Sequence, residues 1–107
     1  MILNNKNKEL EAAIIEAIKE IFDPEIPVNI LELGLIYEVR INDASEVHVF
    51  MTLTAPNCPV AESLPVDVRN KVLSVKGVMG AEVEVTFDPP WDKSMMSELA
   101  MLELGML

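Results

Sequence analysis

A chain of 107 residues has room for one domain, 1–107, with a modest core. Half of it is hydrophobic (50%) and 24% is charged, the make-up of a globular protein and not of a disordered one. Eighteen acids against eight bases give a formal net charge of -10, which opposes phosphate backbones and anionic lipid surfaces, so neither nucleic acid nor membrane is an expected partner.

The apolar runs fall short of a membrane span, and Met1 to Leu10 carries charge where a signal peptide has an apolar core; cytoplasm is the expected compartment. The single cysteine excludes an internal disulfide and a multi-thiol site built from this chain alone.

From Asn7 to Phe22, the apolar residues Leu10, Ala13, Ile14, Ala17, Ile18 and Ile21 recur at helical spacing, with Glu11, Glu16, Lys19 and Glu20 turned to water. Asn5 or Asn7 is the expected cap, and Phe22-Asp23-Pro24 ends the helix. The segment Asp23 to Ile30 is a loop stiffened by two prolines. Its carboxylates Asp23 and Glu25 are either ligands or acid-base groups, or else a turn residue and a solvated one. Gly34 is the expected hinge into the first strand.

Leu35 to Ile41 alternates, with Leu35, Tyr37, Val39 and Ile41 on one face and Ile36, Glu38 and Arg40 on the other. Asn42 to Ser45 is turn chemistry, and Glu46 to Thr54 alternates again, which predicts an antiparallel hairpin. His48, the sole histidine, falls in mid-strand on the more polar face and reads as a surface residue.

The pattern breaks at Ala55-Pro56-Asn57. Pro59 suits a first helical position, so Cys58 falls at a helix start, where exposed N–H groups and the macrodipole favour a thiolate. From position alone, Cys58 is either a buried structural thiol or a functional one, and Glu62 and Asp67 leave it no basic cradle of the phosphatase kind. Val60, Ala61, Leu64, Val68, Val72 and Val75 space as a second buried stripe. Pro65 predicts either a kink or a fresh helix start near Ser63.

Ala81 to Phe87 is the third strand, expected parallel to the second because a helix joins them. Asp88-Pro89-Pro90-Trp91 is a rigid loop. From Lys93 or Ser94 a last helix follows, either docked on its own core or offering Trp91, Met95 and Met96 to a partner. The whole is an α/β domain of α+β type, ordered α-β-β-α-β-α, with a three-stranded mixed sheet and helices packed against it. Phosphate loops, nucleophile elbows, zinc-protease helices and paired-cysteine motifs are absent.

Four motifs together carry a resemblance: Asp23-Pro24-Glu25-Ile26-Pro27-Val28, Leu33-Gly34-Leu35-Ile36, Thr52-Leu53-Thr54 leading to Cys58-Pro59, and Val83 to Phe87 with Asp88-Pro89-Pro90-Trp91. In this order and spacing the chain resembles the SufT-like family of iron-sulfur cluster assembly proteins, related to the amino-terminal domain of the phenylacetate-pathway protein PaaD. The resemblance implies a non-enzymatic maturation factor that works with the assembly machinery and client apoproteins. It places the functional cysteine on Cys58 and the carboxylate loop on Asp23 and Glu25, with Thr54, Asn57 and Pro59 lining the site. A transient iron-sulfur cluster is the implied cargo, and one thiol per chain would be completed by a homodimer, a small thiol or Glu25. The rival readings are an adaptor with a structural Cys58 and, more remotely, a thiol enzyme using Glu25 or His48 as base. The sequence shows no cysteine-rich carboxy-terminal extension of the PaaD kind, so a phenylacetyl-CoA epoxidase role is not expected.

Overall fold

Helix α1 runs Lys8–Ile18, and its start is set by Asn7, whose Oδ1 accepts the Leu10 backbone N–H at 3.0 Å. In the computed structural model, residues 2–3, 5–22, 28–53 and 63–105 are described. Strand β1 is Ile36–Ile41, β2 is Glu46–Met51, α2 is Ser63–Leu73 and β3 is Gly80–Val85; a 3-10 turn, Lys93–Met95, then leads into α3, Glu98–Glu103. The sheet order is β1-β2-β3, with β1 and β2 antiparallel and β2 and β3 parallel, so the mixed sheet and the element order follow the expectation from sequence.

Pro65 is the third residue of α2. The first N–H groups of a helix have no intrahelical acceptor, so a proline there removes no bond and α2 runs on through it.

The helices pack on the sheet face that carries Val39, Val47, Val49 and Met51. Leu10, Ile14 and Ile18 of α1, Leu64, Val68 and Val72 of α2, and Ala100 of α3 join them in one core cluster. The opposite sheet face holds Glu38, Arg40, His48, Phe50, Glu82 and Glu84 in register. There His48 stacks on Phe50 at 4.2 Å between ring centroids, and the Arg40 guanidinium lies 4.8 Å over the same ring while Glu38 holds its Nε at 2.6 Å. That hydrogen bond and the Glu38 charge keep the Arg40 guanidinium above its usual range. His48 lies on this more polar face, as its alternation implied, but it is half-buried there.

Two expectations give way. Ala13 is exposed and Glu11 is buried at 8%, because Glu11 accepts from Asn5 Nδ2 at 2.9 Å in place of turning to water. The faces assigned to β1 hold only from Val39 onward. A register shift between Ile36 and Glu38 inserts Tyr37 as an extra residue, so Leu35, Ile36 and Val39 are all buried. The amino terminus is also part of the sheet: Ile2 bridges Glu38 in parallel on the outer side of β1.

Candidate functional site

The residues singled out for chemistry, Asp23, Glu25, Thr54, Asn57, Cys58 and Pro59, lie outside the described residues, and so does the separation between their two stretches. The chain ends that hold these stretches are described. Segment 23–27 is closed at its base by an antiparallel bridge between Phe22 and Asn29, and Ile30 N–H donates to the Ile21 carbonyl at 2.9 Å. Val28 and Ile30, at 5% and 0% exposure, anchor its far side in the core. Segment 54–62 leaves from Thr52 and Leu53, both buried, and re-enters at Ser63 with Leu64 in the core. Thr52 N–H donates to the Leu35 carbonyl at 2.8 Å, which ties this departure point to the start of β1.

Phe22, the described residue before segment 23–27, lines one groove with Asp67 and Asn70 of α2.

The carboxy-terminal segment straps down the chain between the carboxylate loop and β1. Tyr37 Oη donates to the Pro89 carbonyl at 2.7 Å, Trp91 Nε1 donates to the Leu33 carbonyl at 2.7 Å, and Ser97 N–H donates to the Glu32 carbonyl at 2.8 Å. Gly34 adopts φ +80, and a Cβ there would collide with the Met95 carbonyl. Among the three residues considered for a partner surface, Met96 is buried at 6% in the core, while Trp91 and Met95 are half-buried in the strap. A surface role does not suit Met96, since its side chain helps to dock the segment. The apolar residues that α3 leaves in solvent are Leu99 and Leu102, at 54% and 62%.

Two shielded polar atoms were not read as such from the sequence. Among the described residues, the Thr52 hydroxyl is fully buried without a hydrogen-bond partner, two positions before the thiol stretch. Alternation placed Thr52 on the polar face but could not show that this end of the face is covered. His48 Nε2 is likewise shielded, with Glu84 Oε1 at 3.6 Å. Among the described residues no three His, Cys, Asp or Glu side chains gather to hold a metal, and no helix is long and apolar enough to cross a membrane.

Element order and sheet define a small α/β domain, and the same domain is found in the crystal structure of a domain of unknown function, DUF59, from Bacillus anthracis. The two superpose with a TM-score of 0.85 at 36% identity, over 94% of this chain and 95% of that one. Residues 11–85 match the iron-sulfur cluster assembly protein family, and the chain belongs to it. Relatives include the Fe-S protein maturation auxiliary factor of Porphyromonas gingivalis, 53% identical over 98% of this chain and all (100%) of that protein. Another is the Fe-S protein maturation auxiliary factor SufT of Staphylococcus aureus, 35% identical over 79% of this chain and 97% of its own.

Proposed function

We propose that this protein is an auxiliary factor in the maturation of iron-sulfur proteins, with Cys58 as the thiolate that receives iron or cluster cargo in transit. The observation that carries the reading is the family match across residues 11–85, with relatives of full-length similarity named for that role. The physical chemistry agrees with it. Thiolate sulfur is a soft ligand suited to iron, and a site with too few ligands for stable storage releases what it holds. Glu25 and Asp23 would supply hard oxygen ligands to the same cargo, and Thr54, Asn57 and Pro59 would line the turn that carries the thiol. A second copy of the chain is one source of the missing thiol.

The cargo is passed on and no substrate bond is turned over, so the role is not enzymatic. Its partners are the assembly machinery and client apoproteins, in the cytoplasm. Anaerobic reconstitution with ferrous iron and sulfide tests the reading: wild type develops visible cluster absorbance and Cys58→Ala does not. In cells carrying only Cys58→Ala, client iron-sulfur enzymes lose activity. Equal absorbance in both proteins, or full client activity with the variant, overturns it.

A second reading, an adaptor in the same pathway, is favoured by the single cysteine and single histidine of the chain, too few to complete a ligand set alone. It gains the first place when no absorbance develops in either protein while the clients still depend on the full chain.

A further inference from the structure

The outer edge of β3 has the features of a recognition surface, and we propose that it takes up an extended basic segment of a partner protein as a fourth strand. With order β1-β2-β3, β3 ends the sheet, and among the described residues nothing bridges its outer side, whereas Ile2 occupies the outer side of β1. An edge strand presents backbone donors and acceptors that an extended chain can pair.

The same edge is short of apolar cover. The inward residues Val47, Val49 and Met51 of β2 are exposed by 2%, 0% and 0%, yet Val83 and Val85 in the neighbouring register positions of β3 remain half-buried. Beside them, α2 leaves Val66 and Leu73 in solvent at 52% and 37%. Between these two, on the same side of the helix, Arg69 reaches the Ala81 carbonyl with its Nε at 3.3 Å. A groove of about 540 Å³ opens at the start of β3, lined by Glu46 and Glu82 and also by Arg40, His48, Arg69 and Leu73.

Charge selects the occupant. Glu82 and Glu84 are both exposed and share one sheet face, roughly 7 Å apart along the strand. A second copy paired antiparallel about Val83 would set Glu82 against Glu84, and a parallel in-register copy would stack each glutamate on its equivalent; both arrangements repel. A segment with lysine or arginine at every second position sets cations beside Glu82 and Glu84 while its alternate apolar residues cover Val83, Val66 and Leu73. The surface makes no use of the cysteine, so it stands or falls apart from the cargo reading.

The test titrates the full chain, free of iron, with a short peptide alternating lysine and valine, followed by backbone amide and side-chain methyl resonances. Saturable shifts centred on Gly80–Val85 and on the Val66 and Leu73 methyls are expected, weakened about tenfold by Glu82→Lys with Glu84→Lys. A peptide N-methylated at alternate amides, equal in charge, should lose binding because it cannot pair with the edge. Equal binding by the N-methylated peptide, shifts spread over the acidic surface, or self-association through β3 seen by sedimentation would each overturn the proposal.

Discussion

Trp91 Nε1 donates a 2.7 Å hydrogen bond to the carbonyl of Leu33, a residue 58 positions earlier in the chain. The bond joins the loop after β3 to the segment that carries the chain from the carboxylate loop into β1. Trp91→Phe keeps most of the ring packing and leaves the Leu33 carbonyl without its donor, an expected loss of about 1 kcal/mol. Trp91→Ala also forfeits the half-buried ring and should cost about 2–3 kcal/mol. Urea unfolding followed by circular dichroism measures both, since the variants remove the only tryptophan. Equal stability of Phe and Ala variants would show that the ring contributes nothing.

Gly34 supplies the close approach that this strap requires. Its φ of +80 is strained for a residue with a side chain, and a Cβ would press on the Met95 carbonyl. Gly34→Ala is expected to cost at least about 2 kcal/mol and to loosen residues 91–104 before the sheet unfolds. Limited proteolysis should cut this segment in the variant at protease levels that spare the wild type, and cleavage at the same rate would contradict the argument.

Much of this architecture is written locally. Alternation at Val47, Val49 and Met51, the Asn7 cap and the proline-marked loops each act within a few residues, so the elements and their order can be read from the chain. What escapes that reading is set by partners distant in sequence. Glu11 is buried because Asn5 meets it, β1 changes face because Ile2 and Tyr37 bend its register, and Met96 is drawn into a core formed by residues far upstream. For the site, sequence identified the residue types, and the structure describes the chain ends that flank them.

Asn5 closes the amino-terminal edge with one side chain. Its Nδ2 donates to Glu11 Oε2 at 2.9 Å and to the Val39 carbonyl at 2.8 Å, while its Oδ1 accepts from Ile41 N–H at 2.8 Å. At 8% exposure water cannot readily replace these bonds. Asn5→Ala should therefore cost about 2–3 kcal/mol. Asn5→Asp keeps the acceptor but sets a second carboxylate against Glu11, so it should rescue little at neutral pH. Thermal unfolding of both variants at neutral pH decides; an Asp variant as stable as wild type would show that the donated bonds are dispensable.

Thr52 presents the opposite case, a polar group whose removal should stabilise the fold. Among the described residues its hydroxyl is wholly buried with no hydrogen-bond partner, so its desolvation is uncompensated. Thr52→Val is close to isosteric and should raise stability by about 1 kcal/mol, seen as a higher urea midpoint at unchanged slope. Such an uncompensated group two residues before the Cys58 stretch fits a hydroxyl retained for what that stretch does, because stability alone would favour valine. The paired measurement is client-enzyme activity in cells carrying only Thr52→Val. A gain in stability with a loss of maturation assigns the hydroxyl to the site. A loss of stability means that it has a partner in the folded protein, and the argument from its isolation fails.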